Sequence, residues 1–183
     1  MDSTEHDIYR AAIHGDREAF EMIIRTQSRA LFAIAYGVLQ NSEEAEDVVQ
    51  DALVKAWKTR WRVRAPEKFP AWLSTIARHR ARDVARRRRS NPFPEDEAEP
   101  IDPQCEEAAR VSKEKERNEQ VRAALATLPE MHRSALTLRY FEAMDYAAIE
   151  RILGLSNGAL RGILGRAMKM MRQRLRPALA SLE

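Results

Sequence analysis

Between Ser90 and Pro103 the chain carries four prolines and a run of acids with no helical spacing, and this break governs what the rest can fold into. On either side, apolar residues recur every three or four positions, and no interior stretch alternates with period two. The expectation is an all-α protein of two small helical domains joined by a flexible acidic linker. On this reading the first domain covers 1–90, the linker 91–112 and the second domain 113–183. Each half is long enough to bury a core of its own.

Charge is segregated along the same division. From Lys55 to Arg89 thirteen basic residues face two acids, Glu67 and Asp83, whereas Glu95 to Glu107 holds seven acids and no base. The whole chain carries only +3, so the local asymmetry is the informative quantity. A polyanion fits the basic stretch, and the acidic one reads as a solvated, self-repelling tether. Cys105 is the lone cysteine, which excludes an intrachain disulfide. His6, His14, His79 and His132 are scattered, and no glycine-rich phosphate loop follows a strand, so neither metal, cofactor nor catalysis is expected. The longest near-apolar run, Ala30 to Leu39, is about half of a membrane span. The amino terminus carries Asp2, Glu5 and Asp7 rather than a basic signal region. These features point to a cytoplasmic protein with no membrane insertion.

In the first block, helices are expected over Ile8–His14 and Arg17–Leu39, parted by Gly15-Asp16. Ala45, Val48, Val49, Ala52, Leu53, Ala56 and Trp57 then keep one buried helical face without a miss. The opposite face carries Glu46, Asp47, Gln50 and Asp51, behind a capping Asn41 or Ser42. Like charge keeps that face away from DNA, leaving water or a basic protein surface. Next comes a loop of Arg60, Trp61, Arg62, Arg64, Lys68 and Phe69, in which cations alternate with aromatics as single-stranded nucleic acid requires. Trp57 and Trp72 lie on apolar stripes and read as core; Trp61 and Phe69 fit either core or a base platform. Pro70 opens an arginine-rich helix whose inner face uses Leu73, Ile76, Ala77 and Val84.

In the second block, helices are expected at about 106–128, 130–141, 145–153 and 157–176. Tyr146, Ile149, Ile152 and Leu153 form one apolar stripe, Gly154-Leu155-Ser156 a turn, and Leu160, Ile163, Leu164, Ala167 and Met168 a second stripe. This is the pattern of a helix-turn-helix. It leaves Ser156 at the N-cap and Asn157, Arg161, Gly162, Gly165, Arg166 and Lys169 on or beside the exposed side, with Arg161 the best placed for a base edge. Gly158 to Arg176 holds six bases and no acid, the footprint of a DNA-binding surface. An antiparallel helix pair with a solvated basic face fits the same spacing.

Four segments, in order, resemble the extracytoplasmic-function sigma factors of the sigma-70 family. Gly15-Asp16 to Phe20 is similar to the opening signature of that family. Glu46 to Trp57 resembles its polymerase-clamp-binding helix, and Trp72 to Arg89 its helix facing the minus-ten element. Leu128-Pro129-Glu130 through Leu175 resembles the sigma-4 domain that reads the minus-thirty-five element. The resemblance implies a sigma-2 domain, a linker and a sigma-4 domain, with core RNA polymerase, promoter DNA and an anti-sigma factor as partners. Glu46, Asp47, Gln50 and Asp51 would meet the polymerase clamp. Arg62, Arg64, Lys68, Phe69, Arg78, His79, Arg82 and Arg86 would serve the minus-ten strand. The helix-turn-helix residues named above would serve the minus-thirty-five duplex. A stand-alone helix-turn-helix regulator is the competing reading, and it leaves the acidic face without a role. Departures include His79 where the family often has Asn, Val63-Arg64-Ala65 in the loop, and two recognition-helix glycines, each costing about 1 kcal/mol relative to Ala.

Overall fold

The computed structural model describes residues 3–90 and 117–180, and among them every regular element is helical. The expected linker, 91–112, and the domain boundary within it lie outside the described residues, as does Cys105. Helix α1 spans Ser3–Ile13 and α2 Arg17–Leu39. Between them Gly15 takes φ +101°, a conformation that suits glycine, and Asp16 caps α2 by accepting the Ala19 N–H at 3.0 Å. Gln40 closes α2 in the left-handed region. Asn41, one of the two expected caps, then starts α3 (Ser42–Thr59) by accepting the Glu44 N–H at 2.9 Å. Two single 3-10 turns, Arg60–Arg62 and Pro66–Lys68, lead into α4, Phe69–Ser90, which carries Pro70 in its first turn.

The second half begins with helix α5, described over 117–126, followed by α6, Glu130–Leu136. A π-helical turn, Thr137–Phe141, widens the end of α6 and leaves Tyr140 and Phe141 exposed. Helix α7 (Tyr146–Leu153) and α8 (Asn157–Ala180) complete the fold. Asp145 caps α7 through the Ala148 N–H at 2.7 Å.

Each half has its own core. Tyr9, Phe20, Ile23, Leu31, Val49, Phe69 and Leu73 pack together in the first; Leu125, Leu128, Leu138, Ile149, Leu160 and Leu164 do so in the second. Full burial of one such aliphatic or aromatic side chain contributes about 1.5–3 kcal/mol, so the apolar stripes seen in the sequence are sufficient drivers of both.

The two halves also touch. Ala30, Ala33 and Ile34 of α2 belong to the core of the second half, while Ala35 and Leu39 pack toward α3 and α4. The last part of α2, from Ala30 to Leu39, is thus apolar on nearly every side because nearly every side is covered, whereas Arg17, Glu18, Glu21 and Arg25 keep its first turns in solvent. Helix α4 packs on α7, where the buried Ser74 hydroxyl donates to the Ile152 carbonyl. Ion pairs stitch the margins: Arg29 to Glu142 at 2.6 Å and Arg151 to Glu5 at 3.6 Å. A solvent-open cleft of about 410 Å³, lined by Phe32, Tyr36, Val121, Leu125 and Phe141, lies between α2 and the α5–α6 region.

Candidate nucleic-acid interface and acidic helix face

The acidic face of α3 is built as its sequence implies. Ala45, Val48, Val49, Ala52 and Ala56 are buried, and this fixes the helix so that Glu46, Asp47, Gln50 and Asp51 all stand in solvent. Asp51 is not free: it pairs with Arg80 of the neighbouring α4. Glu46 and Asp47 are the better-presented charges.

The basic residues of the loop and α4 divide into two groups. Arg62, Arg64 and Lys68 project from the turns after α3, and His79 and Arg86 from α4, all exposed, with Arg86 paired to Asp83 at 2.8 Å. Arg78 and Arg82, which share a face of α4 with Arg86 by their spacing of four, instead converge on Glu130 of α6, at 3.4 and 2.7 Å. Arg78 is only 12% exposed, and burial pulls its guanidinium below its ordinary pKa while Glu130 opposes the shift. Its Nε and Nη2 atoms are buried without hydrogen bonds. Glu130→Gln is therefore expected to cost about 1–3 kcal/mol, since a half-satisfied buried cation loses its counter-charge. The check is the thermal midpoint together with amide exchange along α4 and α7, which should quicken.

Phe69 corrects an expectation. It is 0% exposed, stacked on Tyr9 with ring centroids 5.6 Å apart and set edge-on to Trp72 at 5.3 Å. No face of the ring is left for a base, because the start of α4 drives it into the core between α1 and α3. Trp57 and Trp72 are half-buried and pack on the same core, in line with their apolar-stripe positions. Trp61 does the opposite and stands 66% exposed.

The helix-turn-helix is formed by α7 and α8. Gly154 ends α7 at φ +66°, its N–H bonded to the Glu150 carbonyl, and Ser156 Oγ accepts the Ala159 N–H at 3.4 Å. Leu160, Ile163, Leu164 and Ala167 are buried, which turns Asn157, Arg161, Gly165, Arg166 and Lys169 outward with Gly162 half-exposed. Tyr146 lies between Arg139 and Arg161, whose guanidinium carbons are 5.3 and 6.0 Å from its ring centre, and Asn157 Nδ2 donates to Glu150 at 2.5 Å. A methyl group at Gly165 would meet nothing within 4 Å, and one at Gly162 would meet only the mobile end of Arg166. The chain's own packing requires glycine at neither position. His132 sits near this surface, its imidazole held toward the neutral form by burial and by the neighbouring Arg166.

Sequence reasoning missed Ser74 and Glu130 as contacts between the halves. Neither carried a signal: a serine on an inner helix face and an acid after Pro129 look like helix filler and an N-terminal charge. Among the described residues there is no group of His, Cys, Asp and Glu suited to a metal, and no helix long and apolar enough to cross a membrane.

Comparison with known proteins follows the same two halves. The family model for Sigma-70 region 2 matches residues 23–91, and that for Sigma-70, region 4 matches residues 118–171. The chain is 29% identical to the RNA polymerase sigma-H factor of Pseudomonas aeruginosa, over 90% of each protein. It is 30% identical to the protein named "Probable RNA polymerase sigma factor RfaY" of Xanthomonas campestris, with 96% of this chain spanning 45% of that longer protein. Among solved structures, CnrH in complex with the cytosolic domain of CnrY superimposes with a TM-score of 0.64 at 25% identity, covering 94% of this chain and 97% of that one.

Proposed function

Since the chain belongs to the sigma-70 family of RNA polymerase sigma factors, and within it to the extracytoplasmic-function type, we propose that its surfaces divide the work of promoter engagement among themselves. Glu46, Asp47, Gln50 and Asp51 of α3 bind the clamp of core polymerase. Arg62, Arg64, Lys68, Arg78, His79, Arg82 and Arg86 hold the strand of the minus-ten element. Ser156, Asn157, Arg161, Gly162, Gly165, Arg166 and Lys169 read the minus-thirty-five duplex. The two working units correspond to 1–90 and 113–183, tethered through 91–112. Sigma factors are not catalysts in themselves, and the chemistry of transcription belongs to the polymerase. An anti-sigma partner and a cytoplasmic location complete the reading; the solved relative CnrH is bound to the cytosolic domain of another protein, which supports a protein partner here.

The single observation that carries this division is opposite charge on adjacent helices of one rigid core: an exposed acidic stripe on α3 beside an arginine-rich α4. The stripe repels a nucleic-acid backbone that α4 attracts. One protein that must hold both a basic partner and a polyanion needs that arrangement, whereas a stand-alone DNA binder has no use for the acidic stripe.

Run-off transcription with core polymerase, on the fragment upstream of the gene for this chain, tests the reading. Transcript should require both proteins; initiation at the same sites by core alone would sink it. In that assay Arg161→Ala should lose about 1–3 kcal/mol of promoter discrimination, roughly ten-fold in transcript at limiting DNA. Binding to unrelated duplex should change little. Equal output from the variant would remove Arg161 from the base-reading set.

A further inference from the structure

Glu150 is an acid in a place that disfavours one. It stands half-buried near the end of α7, against the first turn of α8, whose residues 158–176 carry six bases and no acid. A carboxylate beside a surface that takes up a polyanion costs affinity through like charge, so its presence needs an account. The turn between the helices does not supply one. Gly154 and Leu155 both donate backbone N–H groups to the Glu150 carbonyl, Ser156 caps α8, and Ile152, Leu153 and Leu160 are buried. That closure uses the main chain of Glu150 and leaves its side chain without a role.

What the side chain does is hold Asn157, whose Nδ2 donates to Glu150 Oε1 at 2.5 Å. A carboxylate only accepts, so the contact draws the amide nitrogen toward α7 and settles which way the amide is turned. One turn away on each helix the pattern repeats. Arg161, four positions after Asn157, has its guanidinium carbon 6.0 Å from the ring centre of Tyr146, four positions before Glu150. Asn157 and Arg161 are both exposed, and their spacing places them on one face of α8. Two side chains of the first helix thus brace two side chains of the second.

An amide nitrogen has two N–H groups. With one engaged by Glu150, the other stands beside Oδ1 as a donor–acceptor edge, the pattern that pairs with N7 and N6 of adenine in the major groove. Resting on the sigma-factor reading, we infer that Glu150 is a positioning residue: it takes the Asn157 N–H that points away from Oδ1 and so sets Asn157 to read adenine in the minus-thirty-five duplex. An unbraced amide turns over and offers its donor and acceptor in either order, which blurs adenine against other bases. The acid gives up general attraction for DNA and gains discrimination at one base pair.

The experiment uses holoenzyme assembled from the full chain and core polymerase, on the promoter found by run-off transcription, with each pair of its minus-thirty-five element exchanged in turn. The parent should prefer A·T at one pair by roughly 5-fold to 150-fold, and Asn157→Ala should abolish that preference. Glu150→Ala should cut it by roughly 2-fold to 12-fold, the cost of ordering one side chain, and leave the other pairs as they are. In the Asn157→Ala background the same change should have no further effect. Glu150→Gln keeps a carbonyl oxygen to accept from the amide and should retain the preference. Both Glu150 variants lose the repelling charge, so both should bind unrelated duplex more tightly than the parent. A Glu150→Ala holoenzyme with the parent's preference at every pair overturns the inference, as does an Asn157-dependent preference for a base other than adenine. So does a loss spread evenly over the element, or one that Glu150→Gln shares in full, which would make Glu150 a matter of fold or charge. A parent that shows no preference at any pair, or does not assemble with core, brings down the sigma-factor reading instead.

Discussion

Alanine at Phe69 is expected to destabilise the first half of the molecule by about 3–5 kcal/mol, the range for removing a fully buried aromatic ring. The ring is enclosed by Tyr9 and Trp72, and residues of α1, α2, α3 and α4 share its cluster. Truncation empties the point where four helices meet, and the stacked and edge-on ring pairs vanish with it, each worth about 0.5–1.5 kcal/mol beyond burial. The urea midpoint of the first half should fall markedly with little change in slope, and the thermal midpoint by roughly 12–40 °C. A variant as stable as the parent but weaker on DNA would reverse the assignment and return Phe69 to the interface.

Reversing the charge of the α3 face should produce the largest functional loss. Glu46→Lys with Asp47→Lys puts two cations where the proposed partner is basic. Like charges brought together across an interface cost several kcal/mol, so affinity for core polymerase should drop by about 100-fold or more. Both side chains are exposed, and the buried stripe of Ala45, Val48, Val49 and Ala52 is untouched, so the helical circular-dichroism signal should persist. Glu46 and Asp47 are better positions for this test than Asp51. A lysine at 51 would face Arg80, its present ion-pair partner, and would confound lost binding with a local repulsion. Full activity of the double variant in run-off transcription would remove the clamp assignment.

Much of this architecture was legible because punctuation and period agreed. Gly154 with Ser156 marked the turn of the helix-turn-helix, Pro70 the start of α4, and Gly15-Asp16 the gap before α2. The unbroken apolar stripe of α3 determined which residues face outward, and so the acidic surface could be read before any coordinates. Phe69 was misjudged for a physical reason. An aromatic among cations at a loop end satisfies either a core or a base, and only the depth of the first turn of α4 decides between them. The π-turn at Thr137–Phe141 has no period of its own to detect. The contact between halves was foreshadowed by a signal read too narrowly. Ala30 to Leu39 is too short for a membrane, and a segment apolar on nearly all sides also demands more covering than one small bundle supplies.

That shared seam has a mechanical consequence. Elements named for positions ten and thirty-five stand about 25 base pairs apart, or roughly 85 Å along B-form DNA. Here α4 and α7 touch, with Ser74 bonded to Ile152. Both halves cannot sit on their proposed elements while they sit on each other. The molecule described here is the folded-up form of a two-armed clasp. On the promoter reading proposed above, whatever free energy holds the arms together is subtracted from every grip on the template.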